Sequence, residues 1–275
     1  MKIKLLKKIE FNLNALNSYV KDKIAGAIMK KVTLIPFLQP VFNEDNLVVG
    51  VEVLLREKKR NIYNSLGDII LDLEGSNNID LITCNLIREV KLKFINLQNM
   101  LPHGFEFSFN VLAAQLNNKD VVNAICDFND SFNMDISINI EIVEREFICL
   151  EDSVALNIKK MKELGVKFSL DDFGSGSSSM IYINKGIFDV VKLDKSLTIT
   201  KDNCLVYGRL IYSITQAIHN LCHENRVKIL AEGVENEKQL YLLKKLNIQL
   251  FQGYLLARPM SLSDFIFYYL VCNER

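Results

Sequence analysis

The sequence has no tryptophan, only 4 prolines and 12 glycines among 275 residues, and only 3 histidines. Scarce glycine and proline exclude collagenous and low-complexity chains, and the 49% hydrophobic content excludes intrinsic disorder. No apolar run approaches the roughly 18 residues of a membrane span, and the greasy stretch from Phe265 to Cys272 is far too short. Met1 to Glu10 alternates lysine with apolar residues and lacks the clean apolar core of a secretory signal. The cysteines at 84, 126, 149, 204, 222 and 272 show no close pairing, which suits reduced thiols. A cytoplasmic protein without membrane association is expected.

Charge balances overall, but not along the chain. Residues 1–32 hold eight lysines against Glu10 and Asp22, a net of +6, which leaves −6 on residues 33–275. So acidic a body argues against binding duplex DNA or RNA, and it permits a carboxylate-rich site if cations offset it. In the basic segment Leu6, Ile9, Leu13, Leu16, Val20 and Ile24 recur at helical spacing. The expected organisation is a basic amphipathic extension over 1–32, too short for a sensory domain, followed by one domain over 33–275. The extension reads best as a helix docked on the body or on a second subunit. A membrane-surface helix and a frayed extension remain open, although no tryptophan or phenylalanine-rich anchor accompanies the lysines.

From residue 33 the pattern changes. Two β-like runs, Thr33 to Val41 and Leu47 to Leu55, are joined by only Phe42 to Asn46. So short a link holds no crossover helix, and the two strands are antiparallel if they pair. Further strands are expected near 105–111, 136–142, 166–171, 188–193, 226–231 and 248–252. Helices are expected near 64–73, 78–97, 118–129, 152–164, 177–184, 203–223, 236–246 and 261–271. Eight strands alternating with helices predict an α/β fold, a TIM-like (β/α)8 barrel whose first strand is antiparallel, plus the N-terminal helical extension.

On that frame the polar residues converge. Glu52 falls near the end of the second strand, Asn110 ends the third and Glu141 the fourth. Asp171 and Asp172 end the fifth, Lys192 and Asp194 the sixth, and Glu232 the seventh. Barrel enzymes draw their chemistry from the C-terminal ends of several strands. One such carboxylate is ordinarily a solvated loop residue or a helix cap, but six successive strand ends are not. Carboxylates so gathered need cations, and a set of oxygen donors without histidine or cysteine selects hard ions, Mg²⁺ or Mn²⁺. Successive strand residues point to opposite faces, so Asp171 and Asp172 enter one site only if the strand ends at Asp171 and the chain turns at Asp172. Gly174 and Gly176 permit that turn.

The runs Gln39-Pro40, Glu52-Val53-Leu54-Leu55-Arg56, Glu141-Ile-Val-Glu144, Asp171-Asp172-Phe-Gly-Ser-Gly, Lys192-Leu-Asp194, Glu232-Gly-Val-Glu235 and Gln252-Gly-Tyr resemble, in order over about residues 33–262, the EAL family of bacterial cyclic-di-GMP phosphodiesterases. The resemblance implies metal-dependent hydrolysis of cyclic di-GMP to linear pGpG by a two-metal site using Mg²⁺ or Mn²⁺, with Ca²⁺ inhibitory, in a homodimer. It implies Glu52, Asn110, Glu141 and Asp171 as ligands of one ion, with Asp171 bridging to a second held by Asp172. Lys192 would orient the attacking water, and Glu232 would act through a water on the ion or as general base. Arg56 resembles the family's phosphate-holding arginine; Gln39, Asp194, Glu235 and Gln252 belong on the substrate side, and Glu144 supports a loop. Glu235 fits a structural contact equally well, because a helix begins there.

Three positions depart from the family pattern. Val53 replaces alanine, adding two methyls beside a ligand, Leu112 stands for a frequent serine, and Ser177 replaces a common tyrosine. None deletes a ligand or the lysine, which favours an active enzyme over a silent cyclic-di-GMP receptor or a protein-interaction module. His219 and His223, four apart beside Cys222, have metal-like spacing but no further ligand, and read as ordinary helix-surface residues. Gly174 to Ser179 lacks the lysine of a phosphate-binding loop and reads as the loop after the two aspartates.

Overall fold

The computed structural model describes residues 33–60, 62–65, 77–132, 136–143, 152–174, 183, 186–198 and 205–273. The N-terminal extension, Glu144, Ser177 and almost all of the helix expected at 177–184 lie outside these residues.

Strands β1 (Thr33–Asn43) and β2 (Val48–Lys59) form the expected antiparallel hairpin, with Gln39 opposite Glu52. Its turn is set by Asn43, whose side-chain oxygen accepts from the amides of Asp45 and Leu47, and by Asn46 in the left-handed region. Strand β3 (Ile62–Ser65) folds back on β2, so the helix expected from residue 64 does not begin there. Then come β4 (Glu106–Asn110), β5 (Ser137–Val143), β6 (Lys167–Phe173), β7 (Val190–Leu193), β8 (Lys228–Ala231), β9 (Leu250–Phe251) and β10 (Met260–Ser261). From β2 through β4 to β9 each strand lies parallel to the next, and β1 closes the ring antiparallel to both β2 and β9. The closed eight-stranded barrel with one reversed strand is thus the predicted one.

Helices α1 (Asn77–Phe94), α2 (Lys119–Ser131), α3 (Asp152–Glu163), α4 (Lys195–Thr198), α5 (Leu205–Glu224), α6 (Glu237–Lys245) and α7 (Leu262–Asn273) accompany it. Each longer helix buries one stripe: Ile87, Val90 and Phe94 on α1, Val121, Ile125 and Phe128 on α2, Phe265 and Tyr269 on α7. Without tryptophan, the space between helices and strands is filled by phenylalanines; Phe107 packs at 4.9 Å from Phe94 and 5.5 Å from Phe128, centre to centre. Asn236 caps α6, accepting from the Gln239 amide while the Gln239 side chain accepts from that of Asn236.

Strand alternation assigns the two faces. Phe107, Phe109, Ile138, Ile140, Phe168, Leu170, Val191 and Ile229 point outward into the helix layer and are buried. The inward set is largely polar: Ser108, Asn139 and Ser169 meet in mid-barrel, with the Asn139 amide 2.9 and 2.7 Å from the two hydroxyls. Val53 belongs to the outward set, packed in the apolar core at 2% exposure. It therefore adds its methyls to the helix–strand packing and not to the space beside Glu52, contrary to expectation. Val53→Ala should lower stability by about 2 kcal/mol through lost burial. Denaturant unfolding should show the lower midpoint, while every property of the barrel interior stays that of the parent.

Candidate active site

The C-terminal strand ends open into a cavity of about 410 Å³ whose polar lining includes Gln39, Glu52, Asn110, Asp171, Asp172, Glu232, Glu235 and Gln252. Asn110 closes β4, where the Val111 amide donates to the Glu141 carbonyl and the Leu112 amide to the Gln115 side chain. Glu232 follows β8 with its amide on the Leu193 carbonyl, and the Gln252 amide donates to the Ala231 carbonyl. Two loops meet closely here: a side chain at Gly253 would sit 2.1 Å from the Val234 carbonyl, so only glycine fits. Glu52 is not near a strand end. It sits within the twelve residues of β2, which overruns the barrel to pair with β3.

The two adjacent aspartates are reconciled by a bulge. Ser169 pairs with Val190 and Leu170 with Val191, but the next pair is Phe173 with Leu193, so Asp171 and Asp172 together oppose Lys192. Asp172 has φ 55°, a left-handed conformation that aspartate tolerates better than most residues. The strand therefore does not end at Asp171, as expected, but runs on to Phe173. The turn at Asp172 occurs inside it, and both carboxylates reach the cavity.

Lys192, 1% exposed, is the centre of the charge arrangement. Its Nζ lies 2.7 Å from Glu141 Oε2, 2.9 Å from Asp171 Oδ1, 2.9 Å from Glu232 Oε1 and 3.7 Å from Glu52 Oε1. Burial opposes its charge, but Asp171, Glu141, Glu232 and Glu52 outweigh that cost and hold its pKa well above the usual lysine value. Burial likewise raises Glu52, yet Lys192, the hydrogen bonds from Gln252 and Asn110, and Arg56 bring it below the ordinary carboxylate value. Those bonds fix both its oxygens, Asn110 Nδ2 donating to Oε1 at 3.0 Å and Gln252 Nε2 to Oε2 at 2.8 Å. Glu141 is pushed well up by burial and by the charges of Glu52 and Asp171, against the pull of Lys192. Glu232 is raised to about 7, by burial first and then by Asp171 and Glu52.

Oxygens of Asp171, Asp172 and Glu232 lie within 4.8 Å of one another. Asp171 Oδ1 is buried and, although within ion-pair range of Lys192, has no hydrogen bond. A cluster of carboxylate oxygens that shares one ammonium, with more acids than cations around it, fits a hard divalent cation.

Other expected residues stand apart. Glu141 lies beneath the lining, under Lys192, at 2% exposure. Arg56 does not line the cavity, and its Nη1 donates to the Leu55 carbonyl at 3.1 Å. Asp194 is also outside it, its Oδ1 accepting from the Ser196 amide at the start of α4. Gln39 lines the cavity and donates to the Ala257 carbonyl at 3.3 Å. Glu235 lines it while its amide donates to Gln239, so it has both the facing and the structural contact. Sequence reasoning missed Lys195 and Tyr254, which also line the cavity. Their signal was adjacency, one residue past Lys192-Leu-Asp194 and the last residue of Gln252-Gly-Tyr.

The profile of the EAL domain matches residues 22–259. The chain belongs to the EAL family. Among relatives, it is 30% identical over 257 residues to the probable cyclic di-GMP phosphodiesterase PdeG of Escherichia coli K12, covering 90% of this chain and 49% of that protein. The chain thus spans about half the length of the first curated relatives it matches. Among solved EAL structures, Bd1971 bound to cAMP and cyclic di-GMP superposes with a TM-score of 0.78 at 24% identity, covering 96% of this chain and 72% of that one. Klebsiella pneumoniae BlrP1, in a manganese and cyclic-di-GMP complex, gives 0.65 at 22% identity, covering 82% and 56%. At those identities the likeness shows the shared EAL barrel.

The Lys192 arrangement has a measurable consequence. Lys192→Met keeps the length but strands four carboxylates without their ammonium, which should cost about 3–5 kcal/mol in chelator. Mg²⁺ or Mn²⁺ should then raise the melting temperature of the variant more than that of the parent. Equal metal responses would show that the carboxylates do not share a cation site.

Proposed function

We propose that the chain is a cyclic-di-GMP phosphodiesterase of residues 33–275, preceded by a basic extension, that cleaves one phosphodiester bond to give linear pGpG with divalent ions bound. The observation that carries this reading is the convergence of four carboxylates on the single ammonium of Lys192, with oxygens of Asp171, Asp172 and Glu232 within 4.8 Å of one another. PdeG, named for this activity, and the metal-bound cyclic-di-GMP complex of BlrP1 support it. Asp171 and Asp172 would hold the ions with Glu52, Asn110 and Glu141, and Glu232 closes the acidic group. Such ions supply Lewis-acid stabilisation of phosphoryl charge and a more acidic water.

The residues divide the remaining work. Lys192, kept protonated by its carboxylates, orients the attacking water through Asp171, Glu232 and Glu52, the acids it holds at the cavity floor. Glu232, whose carboxylate stands with those of Asp171 and Asp172 at the cavity, accepts the water proton. The new P–O bond forms as the bond to the 3′ oxygen breaks, and that oxygen takes up a proton, so one water is consumed per pGpG released. Lys195 on the cavity wall and Arg56 beyond it offer cations to the substrate phosphates.

The test is incubation of the pure protein with cyclic di-GMP and Mg²⁺ and chromatography for pGpG. Product should form with Mg²⁺ or Mn²⁺, disappear with chelator, and be scarce with Ca²⁺. Binding without cleavage would instead make the chain a receptor.

Two substitutions test the assignment of roles. Glu52→Gln keeps shape but removes a charge on the central group, so turnover should fall by orders of magnitude with an unchanged circular dichroism spectrum. Asp172→Asn should lower turnover strongly while calorimetry still detects cyclic-di-GMP binding. Parental turnover by Asp172→Asn would remove that residue from the ion site.

A further inference from the structure

Helix α5 carries a second group of ligating side chains, outside the carboxylate centre. His223 is exposed, but His219, one turn earlier, is 8% exposed and not the surface residue that its sequence context predicts. Neither Nδ1 nor Nε2 of His219 has a hydrogen-bond partner. A neutral imidazole has one donor and one acceptor nitrogen, and leaving such groups buried and unpaired is destabilising. Polar neighbours on the helix are engaged elsewhere: Thr215 donates to the Leu197 carbonyl at 3.4 Å, and Gln216 to Asn220 at 3.4 Å. Cys222 turns fully into the apolar core, where burial pushes its thiol up to about 12. His223 shares that face, its ring centre 6.1 Å from that of His219 and the planes 28° apart.

We propose that His219 and His223 form a chelating site for a transition cation that prefers imidazole, with zinc as the reference ion. Two histidines four apart on a helix share one face, and imidazole suits Zn²⁺, Cu²⁺ and Ni²⁺ where the carboxylate oxygens suit Mg²⁺ and Mn²⁺. A zinc–nitrogen bond puts the ring centre about 3.2 Å from the ion, so two rings on one tetrahedral ion stand about 5.3 Å apart. The observed 6.1 Å is close to that separation, but the two rings are stacked with planes 28° apart and must turn so that one nitrogen of each faces the ion. No third histidine, cysteine or carboxylate joins the pair among the described residues, so water completes the coordination. His223 is exposed while both nitrogens of His219 are shielded, so an ion meets His223 first and the His219 ring turns toward it. The site does not depend on the phosphodiesterase reading.

The experiment uses the full chain in excess Mg²⁺, to occupy the oxygen donors, with Zn²⁺ titrated calorimetrically into the parent, His223→Gln and His219→Phe. The parent should bind one Zn²⁺ more tightly than either variant, by roughly a hundredfold, because the second imidazole acts as a tethered ligand. Cu²⁺ should give an electron paramagnetic resonance spectrum split by two imidazole nitrogens in the parent and by fewer in His223→Gln. His103, the third histidine in the sequence, lines a cavity that contains neither residue of the pair. His219→Phe, which removes the unpaired nitrogens at similar volume, should melt no lower than the parent while losing the zinc event. Identical zinc isotherms for parent and His223→Gln, or copper spectra that His223→Gln leaves unchanged, would overturn the proposal and leave His219 a packing residue.

Discussion

One buried ammonium organises the upper half of this barrel. Lys192 is delivered by the four-residue strand β7 to a point within 3.7 Å of carboxylates from β2, β5, β6 and the loop after β8. Lys192 draws those acids together in a water-poor space and keeps Glu52 below the ordinary carboxylate value, while Glu141 and Glu232 stay raised by burial and by their acidic neighbours. The pairing is unequal by design of charge: one cation faces four nearby acids, with Asp172 beside them. The surplus negative charge is what makes the cavity receptive to added cations, while Lys192 keeps the metal-free barrel from flying apart.

Asp172 joins that arrangement only because strand regularity is broken at one point. With Ser169 and Asp171 facing inward, a regular β6 would turn Asp172 outward among Phe168, Leu170 and the helices, where a carboxylate has no partner. The bulge, with the left-handed backbone at Asp172, puts both into the cavity, and the strand resumes pairing at Phe173, which is buried again at 1% exposure. The apolar outer face and the acidic inner face are therefore both preserved, at the cost of one unfavourable backbone conformation.

Much of this was legible in the sequence, and what was not has physical causes. The short link between the first two runs forced an antiparallel hairpin, and the motif residues named nearly every group that meets at Lys192. Two adjacent aspartates also announced a break in the strand. Its form was hidden, because whether the strand stops or bulges is decided by Phe173 pairing with Leu193, a contact 20 residues away. The direction of Val53 followed from alternation with Glu52 but was masked by proximity in sequence. The strand at Ile62–Ser65 was misread as a helix start because its pairing with the overhang of β2 is a tertiary fact. The burial of His219 was present in the spacing of Thr215, Ile218 and Cys222, yet a polar residue type outweighed that periodicity.

The polar interior also explains why the chemistry belongs to one end. Cavities of about 410 and 470 Å³ open at the two ends of the barrel, the larger reaching the mid-barrel layer of Ser108, Asn139 and Ser169. At the larger, N-terminal end charges of both signs line the cavity, Glu44, Asp45 and Glu106 with Lys167 and Lys228, and Lys167 pairs with Glu106. Left-handed backbone occurs at both ends, at Gly104, Arg226 and Asn247 ahead of β4, β8 and β9 and at Asp172, Gly174 and Gly233 where the chain leaves the sheet. At the C-terminal end regular alternation already turns Glu52, Glu141, Asp171 and Lys192 inward, and the bulge adds Asp172 to them. Like charges converge there because successive strands each contribute one, and a buried cation is needed once they do. The bulge at Asp172 enlarges the acidic group that the ammonium of Lys192 holds together.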